Sequence, residues 1–91
     1  MIPMDWLGER ITIEQAESDN ATVPAPDRPW TGKPFGGMND QWEAMKHRIV
    51  PGDELWTFCS PPESWKHHAG REGIALVREA KVLIVLVTLM N

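Results

Sequence analysis

Val82-Leu83-Ile84-Val85-Leu86-Val87 is a run of six apolar residues with no polar interruption, and how it is read decides the fold. An amphipathic helix would place polar residues inside such a run, and a half-buried strand would alternate. An uninterrupted, β-branched run of this length reads instead as a strand covered on both faces. It is therefore expected to be either a central strand or an interface. Continued to Met90 under strict alternation, it places Val82, Ile84, Leu86 and Met90 on one side and Leu83, Val85, Val87 and Leu89 on the other. Any part of these faces that the rest of the chain does not cover is a candidate surface for a protein partner or a second copy, with Val82, Ile84, Leu86 and Met90 as its residues.

Residues 73–78, Gly-Ile-Ala-Leu-Val-Arg, form a second apolar strand, so the two are read as a hairpin. Its turn, at Glu79-Ala80, lacks the Gly or Asn that a two-residue type I′ turn favours, which predicts a longer loop or a strained, flexible one. Upstream, Ser60-Pro61-Pro62-Glu63 has the form of a helix start: a capping serine, proline in the first turn and a glutamate reaching back. The helix is expected to run through Ala69, burying Trp65 and Ala69, with Gly70 as its left-handed terminator. Before it, Glu54, Trp56 and Phe58 alternate with Leu55, Thr57 and Cys59, which predicts a strand.

A further helix is expected over residues 39–49. Met38, Trp42, Met45 and Ile49 recur at helical spacing, Asp40 and Glu43 have capping-box spacing, and Lys46, His47 and Arg48 suit the negative end of the helix dipole before Pro51-Gly52. Residues 1–38 hold five of the eight prolines and four of the seven glycines and read as a largely irregular arm. Trp30 and Phe35 are its candidate anchors to the domain. Within the arm, Ile11 and Ile13 alternate like a short edge strand, while Glu14-Gln15-Ala16-Glu17 has helix-forming composition, so the two signals compete. The expected fold class is α+β: an irregular arm over 1–38, then a compact domain over 39–91. That domain is an antiparallel sheet of three strands, or four with an added edge, with one helix across it and a short second helix.

Composition narrows the function classes. Eight acidic and five basic residues in 1–50, and five and four in 51–91, give a net charge of −4 with no basic cluster, which argues against a nucleic-acid partner. One cysteine excludes an internal disulfide and fits a reducing compartment. No segment reads as a signal peptide or membrane span, so a cytoplasmic protein is the expectation. Five tryptophans in 91 residues are read first as core packing, and second as a ligand or partner face.

Candidate chemistry is sparse. Cys59, His67, His68 and His47 are the metal-ligand types present, but their spacing matches no recurring zinc pattern, and adjacent His67 and His68 diverge by about 100° on a helix. Cys59 precedes a helix start that would favour its thiolate, yet His67 and His68 fall on the order of 10 Å away at the far end of that helix. Glu63 and Asp53 are accounted for by capping and by the turn after Gly52. No catalytic residue, cofactor or metal site is assigned. Gly70-Arg71-Glu72-Gly73 carries a cation between glycines and is an anion-cradle candidate.

Pro51-Gly52-Asp53-Glu54-Leu55-Trp56 and Gly73-Ile74-Ala75-Leu76-Val77 resemble the Gly-Asp and Gly-Ile strands in the β-core of NlpC/P60-like cysteine peptidases. The resemblance implies a catalytic cysteine before the first strand and a histidine directly before the second. No cysteine lies upstream of Gly52, and Glu72 stands in the histidine position, so neither role carries over. The stretch from Gly52 to Asn91 is also similar to small uncharacterised bacterial proteins that share a GDELW, SPPESW, GIALVR series, which implies no activity.

The expected function is a non-enzymatic protein-interaction or self-associating module. The alternative is a small-molecule or anion binder, possible as an enzyme, with a pocket formed by Trp56, Trp65, His67 and Arg71.

Overall fold

Four antiparallel strands lie in the order of the sequence: β1 (Leu7–Ile11), β2 (Glu54–Cys59), β3 (Arg71–Arg78) and β4 (Lys81–Met90). The computed structural model describes residues 2–24, 26–27 and 32–91. Its helices are α1 (Ile13–Asp19), α2 (Asn39–Arg48) and the short α3 (Pro62–Lys66), with 3-10 turns at Met4–Trp6 and Gly36–Met38. The α+β class and the antiparallel sheet are as expected, and the fourth strand comes from the N-terminal segment.

The chain forms two units, residues 1–11 with 50–91 and residues 12–49. The first unit is the sheet. Residues paired in register project to the same side of a sheet, so Trp56, Ala75 and Val85 define one face and Leu55, Leu76 and Ile84 the other. On the Leu76 face, Ile11, Leu55, Ile74, Leu76 and Leu86 are buried. On the Trp56 face, Phe58, Ala75 and Val77 are buried, with Ile2, Trp6 and Leu7 packed beside them. The N-terminal residues thus contribute to this core instead of forming an irregular arm.

The register of β3 with β4 slips between Leu76 and Val77 and again between Glu72 and Gly73, which leaves Leu83 and Thr88 as the unpaired residues on β4. These bulges break the strict alternation assumed from sequence. Val82 pairs with Val77 and packs with Val85 and Val87, while Ile84 and Leu86 project to the other side. Gly73 lies between the two bulges, and a Cβ there would run into the Leu86 carbonyl oxygen; the strands approach so closely that only glycine fits.

The β3–β4 connection is tight. Arg78 pairs with Lys81, and the two residues between, Glu79 (φ 51°) and Ala80 (φ 62°), are both left-handed, the backbone of a type I′ turn. The expectation of a longer loop is corrected, and the strain falls on two residues that carry side chains. Just before β2, the Asp53 carboxylate accepts the Val50 N–H (3.0 Å) and receives Arg78 through Nε (2.8 Å) and Nη2 (2.9 Å). This charge-assisted pair ties the entrance of β2 to the exit of β3, and it holds the Asp53 carboxyl at about 2 against an ordinary 3.8.

The Ser-Pro-Pro-Glu segment also departs from its expected form. The cap position of α3 is Pro61, with no side-chain cap, and the helix stops at Lys66. Ser60 is buried and acts across the chain: its Oγ accepts the Arg71 N–H (2.9 Å) and bonds Ser64 Oγ (2.6 Å). The left-handed residue after the helix is His68 (φ 58°) rather than Gly70. Gly70 is small for a different reason, because a Cβ there would enter the Trp65 indole ring. Trp65 is half-buried and Ala69 exposed. Asn91 closes this end, donating Nδ2–H to the Trp65 carbonyl and accepting the Gly70 N–H, both at 2.8 Å.

In the second unit, Thr12 caps α1 by accepting the Gln15 N–H (3.0 Å), which resolves the competing signals at Ile11–Glu17: strand to Ile11, cap at Thr12, helix from Ile13. α2 begins at Asn39, one residue before the expected cap Asp40, and Met38 at its cap position makes no side-chain bond. Trp42 is fully buried. Its ring lies 4.8 Å from that of Phe35, and its Nε1–H donates to Glu17 (2.9 Å). Lys46 bonds the same Glu17 oxygen (2.8 Å) and Glu43 (2.9 Å), which lowers the Glu17 pKa and raises that of Lys46. Trp30, the other expected anchor, lies outside the described residues.

Candidate functional site

Alternation along β2 projects Glu54, Trp56 and Phe58 to one face. Phe58 is buried, whereas Glu54 and Trp56 toward the strand start are half-exposed. There they border a cleft of about 400 Å³, whose other walls are Met4, Leu7, Val77 and Ala80. Each wall has a local cause. Met4 is carried by the 3-10 turn, Leu7 by the register of β1 opposite Phe58, Val77 by β3, and Ala80 by the left-handed turn.

The polar groups of the cleft are tied together. The Trp56 Nε1–H donates to Glu54 Oε1 at 2.8 Å, fixing both side chains, and Arg10 Nη1 lies 3.7 Å from Glu54 Oε2. The Arg10 side chain is 61% exposed, so that contact is at the solvent-facing rim. Among the described residues that line the cleft, Glu54 is the one ionisable group.

Of the four residues expected to form a pocket, the structure brings only Trp56 to this cleft. Trp65 sits over Gly70 with its Nε1–H toward the Ser60 carbonyl (3.3 Å). His67 is the exposed C-cap of α3, and Arg71 is the exposed first residue of β3. The four expected interface residues divide between faces: Ile84 and Leu86 on the Leu76 side, Val82 on the Trp56 side, and Met90, 62% exposed, paired with Arg71 at the strand end. Sequence reasoning missed Glu54, Met4, Leu7, Val77 and Ala80. The signal for Glu54 was its position two residues before Trp56 on a strand, which places both on one face.

The remaining candidates stay apart. Cys59 is exposed at the end of β2, with its thiol 3.5 Å from the Ser60 carbonyl. Among the described residues no three His, Cys, Asp or Glu side chains are grouped to hold a metal ion, and no helix is long and apolar enough to cross a membrane. Comparison with protein-family models, curated proteins and solved structures finds no match.

The second feature of functional interest is the outer edge of β4. The strand order ends with it, so among the described residues no strand pairs with its far side. Of its ten residues only Leu86 is buried, and Val82–Val87 are otherwise half-exposed. A strand as apolar as this one was expected in the sheet centre or at an interface, and it is not in the centre.

Proposed function

We propose that the protein is a non-enzymatic self-associating module whose partner is a second copy of the same chain, added antiparallel along β4. The observation that carries this reading is the edge position of a strand with nine uncharged residues in succession, Val82–Met90. Edge strands that remain single are guarded by charges, prolines or short length, because their open N–H and C=O groups pair readily. β4 has ten residues, no proline and one charge, Lys81, at its extreme end. Between the bulges, Ile84–Val87 keeps a regular register with β3 and offers a regular edge outward. Antiparallel pairing about a two-fold axis sets the two Lys81 residues at opposite ends of the joint, so the one charge does not oppose itself. The half-exposed valines of the Trp56 face would be covered further by their counterparts. A single cysteine, exposed and unpaired with another, agrees with a reducing, cytoplasmic setting for such a protein.

Sedimentation velocity under reducing conditions, across a micromolar concentration series, tests the proposal. The wild type is expected to sediment as a concentration-dependent dimer. Leu83→Lys, at a bulge residue without a partner on β3, is expected to sediment as a monomer with unchanged far-UV circular dichroism. A wild type that stays monomeric throughout, or a Leu83→Lys variant that still dimerises, refutes it.

A further inference from the structure

The geometry points to a binding site in the Trp56 cleft for a small apolar cation, an alkylammonium group on a short hydrocarbon. The inference is independent of self-association, because no β4 residue lines the cleft.

The dimensions agree first. About 400 Å³ falls within the range of sites for small molecules, roughly 300 to 1,000 Å³. The wall chemistry then selects the ligand. Met4, Leu7, Val77 and Ala80 supply an apolar enclosure, and Trp56 adds an aromatic ring beside the single carboxylate of Glu54. An indole adjacent to a carboxylate favours a cation twice, through the ring quadrupole and through direct charge. An anion finds only repulsion from the lining itself, since Arg71 and His67, which favoured an anion in the sequence, lie elsewhere.

The Glu54 carboxylate is also arranged to receive a charge. Oε1 is occupied by the Trp56 N–H, which orients the group, and among the described residues the other oxygen has only the 3.7 Å approach of a largely exposed Arg10. A loose surface pair of this kind contributes little, so an arriving cation displaces it easily. Preorganisation comes from the surroundings. Val77 is buried in the sheet, and Ala80 is held by a turn whose strain requires the hairpin to enforce it. Met4, 44% exposed and flexible, is the wall able to adapt to the length of the hydrocarbon.

Nuclear magnetic resonance of the tryptophan indole N–H groups reads this directly, because the Trp56 signal reports its bond to Glu54. Hexyltrimethylammonium, n-hexanol and hexyl sulfate are titrated separately. The cation is expected to shift the Trp56 signal saturably, the alcohol about fivefold more weakly, and the sulfate not at all. Glu54→Gln keeps an acceptor for Trp56 and removes the charge, so the preference for the cation over the alcohol should shrink to the smaller part that the indole ring supplies. Arg10→Ala removes the neighbouring cation and should leave hexyltrimethylammonium bound at least as tightly as in the wild type and still ahead of n-hexanol, which keeps the test open if Glu54→Gln does not fold. Equal binding of cation and alcohol by the wild type overturns the inference. So does weaker binding of hexyltrimethylammonium by Arg10→Ala, or a response confined to other indoles.

Discussion

Replacing Glu79-Ala80 by Asn-Gly is expected to stabilise the protein. Both residues sit at positive φ, 51° and 62°, in a two-residue turn closed by the Arg78–Lys81 pair. An L-residue with a side chain is disfavoured there by roughly 1–2 kcal/mol relative to its right-handed form. Glycine escapes that penalty but has more unfolded-state freedom to lose, about 0.4–1 kcal/mol, so Ala80→Gly nets about 0.5–1 kcal/mol. Asparagine tolerates the left-handed region better than glutamate, which adds about 0.5 kcal/mol. Together the double variant gains about 1–1.5 kcal/mol. For a chain of 91 residues the unfolding entropy is about 190 cal/mol/K, so the gain becomes a rise in Tm of about 5–8 °C. Thermal melts followed by far-UV circular dichroism measure it, with Ala80→Val as the opposite control because a β-branched residue is worse still at positive φ. A Tm that is unchanged or lower in the Asn-Gly variant would refute the turn geometry and the strain assigned to it.

Acid should weaken the Asp53–Arg78 clamp in a defined window. The folded-state pKa of Asp53 is depressed, to about 2 from 3.8, so its contribution is complete above the unfolded value and is lost as pH falls from 3.8 through about 2. Urea midpoints of wild type and Asp53→Asn should therefore differ at neutral pH and converge near pH 2; a constant gap would mean that the ion pair is not its source. In the second unit, Trp42→Ala should cost about 3–5 kcal/mol by emptying a fully buried site. Trp42→Phe, which keeps a ring beside Phe35 and loses the Glu17 bond, should cost about 1–2 kcal/mol. Equal losses for the two variants in urea denaturation would show that ring packing contributes little.

β2, β3 and β4 were legible because their signals are local, whereas β1 lay hidden in a segment that read as irregular. β2 announces itself by alternation, β3 and β4 by apolar runs, and α2 by Trp42 and Met45 at helical spacing. What could not be read depends on pairing. The bulges at Leu83 and Thr88 change which β4 residues share a face, and no alternation rule contains them. Ser60 has the sequence of a helix cap, yet its hydroxyl is taken by the Arg71 backbone, a partner eleven residues away. Glu79-Ala80 contradicts turn preferences, so a tight turn there can be seen only once the strands impose it. Of the cleft, Trp56 was legible in the sequence as a candidate pocket residue. Its neighbours Met4 and Leu7 come from the N-terminal segment and Ala80 from the β3–β4 turn, and only the registration of β1 with β2 and of β2 with β3 brings them together.

The strand order also sets an order of assembly. β2, β3 and β4 are joined by an eleven-residue segment and a two-residue turn, so they can zip up in succession from local contacts. β1 differs: Ile11 pairs with Leu55, more than forty residues along the chain, and closing that loop takes about 1 kcal/mol more chain entropy than joining β2 to β3. During synthesis β1 therefore emerges first and is incorporated last. Until it docks, β2 is a second open edge and Phe58 lacks Leu7 opposite it. The nascent protein is most prone to wrong pairing in that interval, with both sides of the meander unguarded.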